Sequence, residues 1–202
     1  MKKIVNIPKT ARGQKTLDSI VESAEKLFYE KGYHRTSISD ITNESDIALG
    51  TFYIYFKDKY NLYKFLLLRY SHEIRKAIAV DISEDASRLK KEEIGLRAFL
   101  EYIKKNKHVY NIIWESLYID KKLFVDYYQN FANRYSKGIM EAQEDGEMLD
   151  LDPQIMSFYL MGISNFIGLK YVMFDDDNEE DIEEVVKEVM VLIERGMFKR
   201  DV

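Results

Sequence analysis

The chain has 202 residues, 46% of them hydrophobic and 32% charged, which is the make-up of a folded globular protein and not of a disordered one. It contains no cysteine, so disulfides, thiolate nucleophiles and cysteine-bound metals are excluded, and its three histidines are scattered. The formal charge of −5 hides an asymmetry: residues 1–60 carry ten basic against eight acidic groups, residues 61–140 fifteen against ten, and residues 141–202 five against seventeen.

With two prolines and nine glycines, the chain has little to break helices. The apolar run after Lys2 and Lys3 is only Ile4 to Ile7, too short for a secretory leader, so a cytoplasmic protein is expected. The first seventeen residues hold Lys2, Lys3, Lys9, Arg12 and Lys15 and no acid. This reads as a basic arm for phosphates or as a solubilising tail.

Leu17, Ile20, Val21, Ala24, Leu27 and Phe28 recur at helical spacing, and Gly32 supplies the stop. Ser37 begins a second, short helix in which Asp40 completes a variant of the capping box. Asn43 to Asp46 join it to a third, about Ile47 to Phe56. Two short helices so tightly joined behind a longer one have the dimensions of a helix-turn-helix. A long helix follows from about Lys59 to Ala79, then a polar stretch over 81–91.

Further helical patterns contain Ile94, Phe99, Leu100 and Ile103, then run from Val109 to Tyr118, and from Leu123 to about Glu144. Asp152-Pro153 starts another as N-cap and first residue, reaching about Phe174. It is interrupted by serines, glycines and Asn165 and is expected to be a buried helix, not a membrane span. After an acidic break at 175–181 the last helix carries Ile182, Val185, Val186, Val189, Met190, Leu192 and Ile193. No alternating strand pattern and no internal repeat is present. The expected class is all-α, with a small head at 1–58 and a larger helical domain at 59–202.

Residues 37–62, SISDITNESDIALGTFYIYFKDKYNL, with Ala24, Leu27, Phe28, Gly32 and Tyr33 before them, resemble the TetR family of bacterial transcriptional regulators. The most specific part is Gly50-Thr51-Phe52-Tyr53, Tyr55-Phe56 and Lys59. The resemblance covers about residues 15–65; the rest matches only in plan. It implies a dimeric regulator, in most such proteins a repressor, released from operator DNA by a small effector. Two departures stand out. Asp46 occupies a turn that usually holds glycine, a left-handed position aspartate tolerates. Leu49 replaces a more usual polar residue, which bears on base preference.

The resemblance and the residue chemistry together assign DNA contact to Thr36, Ser37, Ala48, Leu49, Gly50, Thr51, Tyr53, Tyr55, Lys57 and Lys59, with Lys9, Arg12 and Lys15 on the arm. Gly50 permits close packing, Thr36 and Ser37 lie at a helix start suited to phosphate, and Lys59 suits a phosphate clamp. Phe52 and Phe56 point inward; Tyr55 divides evenly between groove and core. In the larger domain Trp114, Tyr118, Phe124, Tyr128, Phe158, Tyr102 and Phe131 are candidates to line a pocket for a flat or lipophilic effector. Glu115 is either its polar anchor or a surface residue. The last two helices resemble the family's dimer interface, through Met161, Phe166, Ile182, Val186, Val189 and Ile193. The expected partners are therefore a double-stranded DNA operator, a small-molecule effector and a second copy of the chain, with no membrane. No Glu-x-x-His pair, Gly-rich phosphate loop or nucleophile elbow is present, so no enzyme, cofactor or metal is expected.

Overall fold

The computed structural model describes residues 4–83, 85–174 and 181–199. Lys2, Lys3 and most of the acidic break at 175–181 lie outside them. The described residues form nine α-helices in the order α1 Ala11–Lys31, α2 Ile38–Glu44, α3 Leu49–Tyr55, α4 Lys59–Ala79, α5 Arg88–Lys105, α6 Lys107–Ile119, α7 Lys121–Glu144, α8 Pro153–Leu169 and α9 Ile182–Met197. A π-helical turn, Lys170–Phe174, extends α8. Among the described residues the only β-type pairing is an isolated antiparallel bridge between Met148 and Phe198. The chain is all-α, as its periodicity predicts.

Two compact units emerge from the packing: residues 1–71 with 108–127, and residues 72–107 with 128–202. The divide falls inside α4 and places most of α6 with the N-terminal helices, so it differs from the functional division at residue 58 expected from the sequence.

In the first unit α1 begins six residues earlier than its apolar pattern, because its opening turns are polar. Thr10 caps it by accepting from the Gly13 N–H at 3.1 Å. The basic arm is therefore shorter than expected: Arg12 and Lys15 lie on the helix itself. Helix α1 buries Leu17, Ile20, Val21, Ala24, Leu27 and Phe28 and ends at Gly32, whose φ of +79° suits glycine. Helix α2 has the expected capping box: Ser37 accepts from the Asp40 N–H at 3.0 Å, and Asp40 Oδ2 accepts from the Ser37 N–H at 2.7 Å. Those bonds hold the Asp40 carboxyl below its usual pKa.

The α2–α3 turn passes through Asp46 at φ +51°, the only non-glycine residue with positive φ among those described. Left-handed backbone costs a β-branched residue more than aspartate, by about 1–2 kcal/mol. Asp46→Val is accordingly expected to lower stability by about that amount, while Asp46→Gly holds or raises it. Chemical denaturation of both variants checks this, and equal destabilisation by the two would contradict it.

The second unit is built on a core of Leu96, Leu100, Ile139, Met148, Met156, Leu160, Tyr171, Val186, Val189, Met190 and Ile193, among others. Here α5 packs against both α8 and α9. A charged network lies beside it: Glu92, 6% exposed, pairs with Arg88 at 2.6 Å and accepts from the Tyr135 hydroxyl. Burial and the Glu92 carboxylate raise the Tyr135 pKa.

Helix α8 departs from the buried helix expected. The 22 residues Pro153–Phe174 are long and apolar enough to cross a membrane by length and composition, yet only 33% of an apolar 18-residue window within them is buried. Its inward face is Met156, Ser157, Leu160 and Met161, whereas Ile155, Tyr159 and Phe166 are 70%, 53% and 66% exposed. Ile155, Tyr159, Gly162 and Phe166 follow helical spacing and form one open stripe. Helix α9 has Leu192 67% exposed, beside the buried stripe of Val186, Val189 and Ile193 and not within it.

Candidate nucleic-acid interface

Helix α3 is a poor helix former. Ala48 at its N-cap makes no side-chain cap, Gly50 sits in its first turn, and five of its seven residues are aromatic or β-branched. Packing holds it instead. Phe52 is fully buried, Phe56 is 1% exposed and their ring centroids lie 5.8 Å apart.

Tyr55 belongs to this inner face: it is 9% exposed and its hydroxyl donates to the Gly13 carbonyl at 3.1 Å. It is a core residue and not a groove contact, the second of the two roles weighed above. Tyr55→Phe should cost about 1 kcal/mol of stability with DNA binding little changed. For Tyr53→Phe, whose ring is 52% exposed, weaker DNA binding with an unchanged melting temperature is expected. Titration and melting of the two variants side by side decide the matter, and an exchange of the two outcomes would reverse the assignments.

The outward face consists of Leu49, Gly50, Tyr53 and Ile54, followed by Lys57; all are exposed, and Thr51 is half-buried at the edge. A Cβ at Gly50 would meet no atom within 4 Å. Close packing inside the chain, expected from the sequence, therefore does not explain this glycine. Ile54, 60% exposed, was missed as a surface residue because it is apolar; its position four after Gly50 was the signal.

Basic groups stand near this face. Asn6 donates from its backbone N–H to the Tyr55 carbonyl at 2.9 Å and from its side chain to the Ile54 carbonyl at 3.1 Å. This fastens the N-terminal segment to the end of α3, and the Tyr55–Gly13 bond brings the first turn of α1 there too. Lys9, Arg12 and Lys15 are exposed, and the first turn of α1 holds no acid. Cations at a helix N-terminus oppose the macrodipole, an arrangement that a bound phosphate relieves.

Three other DNA candidates are engaged within the chain. Thr36 is 1% exposed and donates to the Gly32 carbonyl at 2.9 Å and to the Leu27 carbonyl at 3.2 Å, so its hydroxyl is not a phosphate ligand. The Ser37 side chain, although exposed, is committed to its capping box. Lys59 is engaged by the chain itself: its ammonium donates to the Tyr33 and Thr36 carbonyls at 2.6 and 2.5 Å and lies 4.2 Å from the Tyr33 ring centre. Burial lowers its pKa, against the opposing pull of Glu115 and Asp40. Lys59 thus stitches the start of α4 to the α1–α2 loop. Glu115 fits neither expected role, since its Oε1 accepts from the Tyr33 N–H at 2.7 Å.

The residues expected to line a pocket are divided between the units, with Trp114, Tyr118 and Phe124 in the first. Trp114 and Phe124 meet edge-on at 6.3 Å, but Tyr118 is 81% exposed and does not line an enclosed cavity. In the second unit Tyr128 donates to Asn165 at 3.2 Å, Tyr102 to Glu73 at 2.8 Å, and Phe131 lies beneath the Arg75 guanidinium. Phe158 is 47% exposed. The Trp114 indole N–H and the Asn111 amide oxygen, both on α6, are buried without a hydrogen-bond partner among the described residues. A surface cleft in the second unit, bordered by Leu89, Arg97, Glu183 and Met190, contains none of the expected aromatics.

The expected dimer residues are mostly core. Val186, Val189, Ile193 and Met161 are 1–7% exposed and Ile182 packs partly buried against the same cluster; only Phe166 is open.

Residues 20–65 match the family model for bacterial regulatory proteins of the tetR family. In that segment the chain is similar to TetR-family regulators. Its fold, a helix-turn-helix head followed by a helical domain, matches the fatty acid degradation regulator FadR from Bacillus halodurans with a TM-score of 0.77 at 21% identity, over 93% of this chain and 96% of that one. The HTH-type transcriptional regulator HbdR of Aromatoleum is 25% identical over 199 residues, covering 96% of this chain and 84% of its own. An uncharacterised HTH-type regulator of Bacillus subtilis, YuxN, is 52% identical over 40 residues, which are 20% of this chain and 14% of YuxN. None of these relatives is described as an enzyme.

Proposed function

We propose that this chain is a DNA-binding transcriptional regulator of the TetR family, acting as a repressor that a small lipophilic effector releases from its operator. The observation that carries the reading is the outward face of α3, solvent-facing and followed by Lys57, on a helix whose inner face is locked by Phe52, Tyr55 and Phe56 and to whose end the segment carrying Lys9, Arg12 and Lys15 is tied through Asn6 and Gly13. Ala48, Leu49, Gly50, Thr51 and Tyr53 are its contacts to the groove, and the basic groups its contacts to phosphate. Residues 1–58 read DNA; residues 59–202 bind the effector and dimerise.

A homodimer supports the geometry, because two heads must meet major grooves one helical turn, about 34 Å, or a multiple apart. The open stripes of α8 and α9, Ile155, Tyr159, Phe166 and Leu192, are the surface we assign to it. That assignment also accounts for the apolar exposure of α8. Unpartnered polar atoms on α6 favour an effector with both apolar and hydrogen-bonding parts, and the fatty acid regulator named above fits a lipophilic one. Helices α4 and α7 continue from one unit into the other and are the covalent route by which an effector shifts the separation of the heads.

Binding to genomic fragments as a function of salt tests this reading. Steep salt dependence and fragments that still outcompete bulk DNA at about 0.15 M salt are expected. If no fragment is preferred, the chain is a helical interaction protein with the regulator fold.

A further inference from the structure

None of the seven residues of α3, Leu-Gly-Thr-Phe-Tyr-Ile-Tyr, is Arg, Lys, Asn, Gln, Asp or Glu. Those are the side chains that recognise guanine, adenine or cytosine edges in the major groove by paired hydrogen bonds or as acceptors. What α3 offers instead is aliphatic. Leu49 and Ile54 are 49% and 60% exposed, Ala48 precedes them in the open, and Gly50 leaves a gap between them. The hydroxyls of Tyr53 and Thr51 are the polar groups that remain.

In the major groove only an A·T pair presents an aliphatic group, the thymine C5 methyl. A leucine or isoleucine laid against a G·C edge strips water from base donors and acceptors and returns no hydrogen bond, which disfavours that pair. Gly50 lets the helix backbone approach closely enough for these short contacts to form. Lys9, Arg12, Lys15 and Lys57 supply affinity that is indifferent to sequence.

From this face we infer that the chain selects operators whose half-sites carry thymines under Leu49 and Ile54, and that it reads them through their methyl groups. The inference rests on the proposed DNA-binding function and adds to it the base class that is read.

The test begins by selecting preferred duplexes from a random-sequence library at about 0.15 M salt, then rebuilding the selected site with deoxyuridine in place of individual thymines. Uracil pairs identically and lacks only the methyl. Affinity is expected to fall about fourfold for each contacted methyl removed. Placing 5-methylcytosine·guanine there should bind better than cytosine·guanine, because it restores the methyl alone. Leu49→Ala with Ile54→Ala, both exposed positions, should erase the thymine-over-uracil preference while the circular dichroism spectrum stays that of the helical fold. Selected sites with G·C at the contacted positions and no response to uracil would overturn the inference and leave the regulator reading standing. An undiminished preference in the double variant would do the same. Failure to retain any duplex at low salt would overturn the DNA-binding reading itself.

Discussion

Glutamate at Phe166 or Leu192 is expected to give a folded monomer that binds DNA about 10²–10⁴-fold more weakly, because the second half-site is no longer held close by the first. Both side chains are about two-thirds exposed and their removal costs the fold little. Glutamate at Val186 should behave quite differently. That residue is 1% exposed in the cluster with Leu96, Leu100 and Leu160, and burying an unpaired charge there costs on the order of 4 kcal/mol, a large share of a domain's stability. The sequence alone points to Val186 and Val189 as places where charge parts a dimer; their burial turns that expectation into unfolding. Size-exclusion chromatography with light scattering, read beside circular dichroism, separates the outcomes. Phe166→Glu and Leu192→Glu variants that remain dimeric would move the interface off these stripes.

Gly50→Ala carries the second large effect, and its two readouts move in opposite directions. Replacing a helical glycine by alanine stabilises by about 0.5–1 kcal/mol when the methyl meets nothing, and here nothing lies within 4 Å. The same methyl stands on the face assigned to the groove. Operator affinity should therefore fall by about tenfold while the melting temperature rises. A loss of stability would mean that the glycine serves the fold. Unchanged affinity would mean that the α3 backbone does not approach DNA closely.

The helices were legible in the sequence because each carries an apolar stripe of helical period, and the head was legible because its turn and caps are local chemistry. Asp46 at positive φ and the Ser37–Asp40 capping box are such local features, and both are present. The start of α1 was not legible, since residues 11–16 are polar and only the Thr10 cap marks them. Direction was the harder property. Tyr53 and Tyr55 are separated by about 200° on a helix, so one of them had to face inward. The spacing of Phe52, Tyr55 and Phe56 identifies which.

The same reasoning applies to α9. Ile182, Val186, Val189 and Ile193 make one stripe, and one stripe serves one partner; the core takes it, which leaves Leu192 outside. The bonds of Lys59 and Glu115 to the α1–α2 loop join residues distant along the chain, so no local pattern announces them. Pocket lining depends on how many helices meet around a side chain, which aromatic density alone does not report. Tyr118, open to solvent, is the plain example.

The chain has no cysteine, so single cysteines at Ile54 and, as a control on α7, at exposed Val125 can be alkylated selectively with and without a selected duplex. The account predicts that DNA shields the cysteine at position 54 and leaves the one at position 125 as reactive as before. Unaltered labelling at position 54 in a saturated DNA complex would show that the outward face of α3 does not enter the groove.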